Sequence, residues 1–157
     1  MQSDLKCVDS FSDFQSKIDS QEAGGGEWIY RGQACSWELK PTLERTLTKW
    51  LGSSTSATKY EDKLIREFQR GYNGGDRKLV LKNTCNCLAL MQHHGAPTRL
   101  LDWTYSPYVA ARFALEHHQG GCSVVWCLNT KWLDDRVPPA HGKCDCEVEP
   151  ETQREAL

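Results

Sequence analysis

The 157-residue chain has no surplus of positive charge: its formal net charge is -2 and its sequence pI about 6.2. No overall positive field therefore draws it to nucleic acid or to an anionic membrane, and only a local basic patch would serve that end. Aromatic residues are not interleaved with basic ones, which further disfavours a single-strand binding groove. No apolar run reaches the roughly 18 residues needed to span a bilayer. The opening stretch, MQSDLKCVDSFSDF, lacks the basic-then-apolar order of a secretory leader. A cytoplasmic protein without a membrane partner is expected. Internal repeats are lacking too.

Also missing is the C-x2-4-C knuckle spacing of structural zinc. The eight cysteines include Cys85 with Cys87 and Cys144 with Cys146, each pair split by one residue. On a helix, Cys85 and Cys87 would point about 200° apart. In a cytosolic setting such cysteines are expected to be reduced, and no metal site is expected.

What is present is one domain's worth of chain, read as a single unit over 1–157, long enough to bury roughly 70% of the surface an unfolded chain exposes. Ser10 as N-cap with Phe11, Phe14 and Ile18 at helical spacing predicts a first helix, which the run from Gln21 to Glu27 breaks. EWIYRGQ reads as a strand with Trp28 and Tyr30 on one face, Ile29 and Arg31 on the other, and Arg31 at its end. Thr46 to Thr58 reads as a surface loop and a place for a lid. Tyr60, Leu64, Ile65, Phe68 and Tyr72 form the apolar stripe of a helix stopped by NGGD. Another helix is predicted from about Asn83 to His94, capped by Gly95 with Pro97 barring continuation. Ser106 as N-cap and Pro107 at the first position open a helix with Val109, Ala110, Phe113 and Ala114 facing the core. GCSVVWCL reads as a buried strand, and KCDCEVE alternates strictly, with Cys144, Cys146 and Val148 on one face and Asp145, Glu147 and Glu149 on the other.

QHHGAPTRLLDW, residues 92–103, carries polar chemistry in a rigid frame. Gly95 and Pro97 end a helix abruptly, Leu100 and Leu101 anchor the next segment in the core, and Arg99 can pair with Asp102 three residues on to brace the turn. His93 would then stand at a fixed helix terminus, opening onto a cleft shared with Arg31 and Ser106. The plainer readings are a satisfied helix-end histidine, a salt-bridged arginine and a buried tryptophan at Trp103.

WIYRGQACSWELKPTLER followed by LALMQHHGAPTRLLDWTYSPYVAARFAL resembles the FRG domain family over about residues 27–128. The resemblance marks Arg31, Gly32, Gln92, His93, Gly95, Pro97, Thr98, Arg99, Asp102, Trp103 and Ser106. A more distant likeness, of Tyr30-Arg31-Gly32, then WTYSPYVAARFA, then EVE, is to the arginine-serine-glutamate ADP-ribosyltransferases, although Trp103-Thr104-Tyr105-Ser106 lacks the first serine of their Ser-Thr-Ser element. That likeness implies an α+β fold with a split, mainly antiparallel sheet flanked by helices. It also implies NAD as substrate and transfer of ADP-ribose to a macromolecular acceptor, protein or nucleic acid, or hydrolysis of NAD. Arg31, Gly32, Gln92, Thr98, Trp103 and Ser106 would bind the nucleotide, and Glu147, Glu149 and His93 would act in catalysis. The alternatives are a non-catalytic nucleotide- or nucleic-acid-binding module, with Trp28, Trp37 or Trp103 stacking on bases, and a protein-interaction domain with tryptophan anchors.

Overall fold

The computed structural model describes residues 6–53, 56–75, 77–116, 118 and 120–136. The fold is α+β: seven helices and two strands among the described residues. The chain divides into two compact units, one made of residues 6–38 with 102–136 and the other of residues 39–101. No helix is long and apolar enough to cross a membrane, among the described residues. The segment KCDCEVE, expected as a strand, with Cys144, Cys146, Glu147 and Glu149, lies outside them.

In the first unit, helix α1 (Phe11–Ala23) starts where Ser10 Oγ accepts from the Asp13 amide at 3.1 Å. Strand β1 (Trp28–Gln33) pairs antiparallel with β2 (Val124–Asn129), Tyr30 facing Cys127 and Arg31 facing Trp126. On its other edge β1 meets Thr104, whose amide and carbonyl exchange bonds of 2.9 and 2.8 Å with those of Tyr30. The sheet is thus a two-stranded ribbon with one bridging residue. The strand expected over 121–128 forms as Val124–Asn129 and is only half-buried, with Cys127 exposed, because a ribbon this narrow leaves its outer strand uncovered.

Helix α6 (Pro107–Glu116) lies on one face of the ribbon, where Ile18, Tyr30 and Ala110 form the core with Phe14, Trp28 and Val125 packed against them. Strand alternation gives that face Trp28, Tyr30 and Gly32. A Cβ on Gly32 would collide with the Ala110 carbonyl oxygen and lie 2.6 Å from the Ala114 nitrogen. Glycine therefore sets the helix-to-strand distance. Ala110 and Ala114 are buried as expected, whereas Val109 and Phe113 are 42% and 57% exposed. The close approach turns α6 onto its small side chains and rolls the bulky ones outward. Burial, reinforced by a hydrogen bond to Glu22, raises the Tyr30 phenol above its ordinary range. A raised value favours the protonated form, so the stability it lends is fully present below about pH 10 and is lost as the pH climbs further.

In the second unit, helix α2 (Thr42–Leu51) replaces the first half of the expected 46–58 loop. Leu43 and Leu47, four apart, are its buried pair, and their burial outweighs the loop-like Thr content. Helix α3 (Ala57–Gly71) has its predicted stripe with one exchange: Tyr60 is exposed and the adjacent Glu61 is buried. A short helix α4 (Arg77–Lys82), not expected, leads to α5 (Thr84–His93). Val80, Cys87, Leu88 and Met91 form the core, with Leu64, Ile65 and Phe68 against it. Asn83 Oδ1 caps α5 by accepting from the Asn86 amide at 3.1 Å. At the other end Gly95 takes φ 82°, so its amide reaches the Gln92 carbonyl and that of Ala96 the Met91 carbonyl, each at 2.9 Å. This left-handed turn closes α5, and Gly95 supplies the conformation at no Cβ cost.

Candidate functional site

Arg31 sits in the interior of β1, not at its end. Alternation turns its side chain to the ribbon face opposite α6, with Ile29 and Gln33 from β1 and, directly across the ladder, Val124, Trp126 and Leu128 from β2. The Arg31 side chain is only 15% exposed. Its Nη1 donates to the Asp102 carbonyl at 2.8 Å, and the Asp102 carboxylate stands 3.9 Å off, balancing the charge through space. Trp126 Nε1 donates to Gln33 Oε1, which fixes the indole on the same face. Arg31 and Asp102 thus pair a planar cation with an exposed carboxylate, and Trp126, the ladder partner of Arg31, places a large aromatic ring on the same face.

Ser106 does what its cap position predicts. Its Oγ accepts from the Val109 amide at 3.3 Å, and its own amide donates to Thr104 Oγ1 at 3.1 Å. Because α6 rests on the Tyr30 and Gly32 face, Ser106 and Arg31 belong to opposite sides of the ribbon, so the expected convergence of the two is not formed. Ser106→Ala is expected to cost about 1 kcal/mol, with Ser106→Asp close to wild type, by urea denaturation. A larger loss of ligand binding than of stability in Ser106→Ala would give the hydroxyl a role beyond the cap. Trp103, one residue before the bridge, is half-buried.

The remaining marked residues fall in the second unit. Thr98 is 1% exposed, its Oγ1 donates to Gln92 Oε1 and accepts from the Leu100 amide at 3.3 Å, and its carbonyl accepts from the Leu43 amide at 3.1 Å. Gln92 and Thr98 therefore tie the turn after α5 to α2. Arg99 is a brace, with a partner the spacing did not give: its guanidinium pairs with the buried carboxylate of Glu61 on α3, while Asp102 serves Arg31. That hydrogen bond to Glu61 raises the Arg99 guanidinium above its ordinary value. His93 is exposed at the end of α5. The concavity beside it is lined by His94.

Sequence pattern does not mark Glu61, Trp126 or His94. Glu61 falls on its helix's apolar stripe, three and four residues before Leu64 and Ile65, and only its charge hides it. Cys87 is buried, which raises its thiol.

An α+β domain whose central strand carries Arg31 next to a glycine sealed under a helix is the class these elements define. The FRG domain model matches residues 26–121, well over half of the chain, and the chain belongs to that family. No curated protein and no solved structure matches it significantly.

Proposed function

We propose that the chain binds a nucleotide on the ribbon face opposite α6, with NAD as the substrate and transfer of ADP-ribose, to a macromolecule or to water, as the reaction. The observation that carries the reading is Arg31, oriented by Asp102 and facing Trp126 across the ladder. A guanidinium presents a planar fork to phosphate oxygens. The Asp102 carboxylate, 82% exposed, is suited to accept from ribose hydroxyls, and Trp126 offers a ring face to a base. These are the three recognitions a nucleotide requires. Breaking the bond from ribose to nicotinamide develops positive charge on the sugar, which a carboxylate stabilises, and nicotinamide leaves with the bond's electron pair. In this reading Glu149, with Glu147, supplies that carboxylate, and both lie outside the described residues.

Arg31→Lys keeps the charge and loses the fork. It is expected to weaken NAD and ADP-ribose binding at least about tenfold, about 1.4 kcal/mol, in calorimetric titration, with the circular dichroism unchanged. Nicotinamide release from NAD by the wild type, lost in Glu149→Gln, is the expected sign of catalysis. Wild-type affinity in Arg31→Lys, or no nucleotide that raises the melting temperature, would overturn the reading.

A further inference from the structure

Residues 39–101, which make up the second unit, carry eleven Lys and Arg against five Asp and Glu, in a chain whose formal balance is -2. The excess has a definite place on α3. Lys59, Lys63, Arg66 and Arg70 follow one another at four, three and four residues, so at about 100° per residue they fall within about 60° of one another around the helix axis. All four are exposed, and the opposite side of the helix sends Leu64, Ile65 and Phe68 to the core. Among the described residues none of Lys59, Lys63 and Arg66 is paired with a carboxylate, and the pair of Arg70 with Glu67 is an exposed one that competes weakly for the guanidinium. Arg77 donates to the Tyr72 carbonyl, which carries the basic run one step past the end of α3.

We propose that this stripe binds the phosphate backbone of a nucleic acid. It runs about 16 Å along the axis, the rise of roughly five nucleotides of one duplex strand, and offers a cation about every 5 Å. Lys59 is a separate sign of the same ligand. It stands in the first turn, where there is no acid and Ser56 makes no side-chain cap, although a helix by itself favours negative charge there. An anion at that end accounts for the choice, since it meets the lysine and the first-turn amides together. An acidic membrane is the poorer fit, because a helix that lies on lipid inserts its apolar face, and that of α3 packs on the core. An acidic protein would want an aromatic or aliphatic anchor among the charges, and the stripe holds none. Asp62 and Glu67, about 70° to either side of the stripe's centre, confine the attraction to a narrow line.

The test follows the fluorescence anisotropy of labelled oligonucleotides of about twenty nucleotides, a DNA duplex and single strands of DNA and RNA, with the whole chain across a salt series. The wild type is expected to bind with an affinity that falls as salt rises, log K against log salt having a slope of about -3 to -4 for four neutralised phosphates. The tightest of the three probes names the form recognised. Lys63→Gln with Arg66→Gln should weaken binding at least about tenfold and make the slope shallower by about 2, with the circular dichroism unchanged. Lys17→Gln with Lys131→Gln removes the same charge from the first unit and should leave the slope as it is. Arg31→Lys should leave it too, which separates failure here from failure of the nucleotide reading. No binding by the wild type at low salt, equal affinities of the two double variants, or tighter binding to phosphatidylserine-containing vesicles than to any oligonucleotide would overturn the proposal.

Discussion

Gly32→Ala is expected to destabilise the first unit by about 3 kcal/mol, at the upper end of what overpacking costs, and to lower the urea midpoint by roughly 1 M or more. The added methyl would run into the Ala110 carbonyl and the Ala114 nitrogen, both backbone atoms of a helix held against the strand. Neither can swing aside as a side chain would, so α6 must lift away from β1 and expose Tyr30 and Ala110. Gly32→Ser should behave alike or worse. The resemblance to nucleotide-binding families assigns this glycine to ligand approach, whereas the packing assigns it to helix seating. A variant with the wild-type midpoint that no longer binds nucleotide would decide for the ligand.

Arg99→Ala is expected to cost about 3 kcal/mol, and Glu61→Gln only about 1 kcal/mol. The asymmetry comes from burial. The Glu61 side chain is 2% exposed and that of Arg99 54%, so removing the arginine strands a carboxylate in the core, while removing the charge on Glu61 leaves a guanidinium that water can solvate. The other carboxylate oxygen, Glu61 Oε1, is buried without a hydrogen-bond partner among the described residues, which leaves the group no reserve. Replacing both partners, as Glu61→Leu with Arg99→Ala, should recover most of the loss. Equilibrium denaturation of the three variants checks the order. Equal losses in the two single variants would mean that Arg99 acts through packing of its stem and not through Glu61.

The helices with clear punctuation are legible in the residues themselves. Ser10 and Ser106 cap α1 and α6 as their spacing predicts, and Gly95 closes α5, because a cap is a contact between residues three or four apart and needs nothing from the rest of the chain. The expected family is legible in the two long segments that contain Arg31 and residues 92–106, and the family model spans both.

Where an expectation fails, a partner distant in sequence has intervened. The 46–58 loop gives way to α2 because the burial of Leu43 and Leu47 depends on neighbours that local composition does not reveal. Arg99 lies within reach of Asp102 in sequence, yet Glu61, thirty-eight positions away, is its partner, and Asp102 faces Arg31, seventy-one positions away. The predicted convergence of Arg31 and Ser106 assumes a strand end; in the ladder Arg31 is interior, and the alternation of faces sends it away from the helix that Ser106 caps.

By itself the sequence determined the α+β class, the starts and stops of the punctuated helices, and the alternation that puts Tyr30 and Arg31 on opposite faces, since each depends on dihedral preference or on period. Only the tertiary structure decided which face α6 covers, that Gly32 lies under it, that Glu61 is buried, and that Trp126 stands across from Arg31. Those outcomes turn on the register of β1 with β2 and on how closely a helix can approach a strand, and both are set by contacts between residues far apart in the chain.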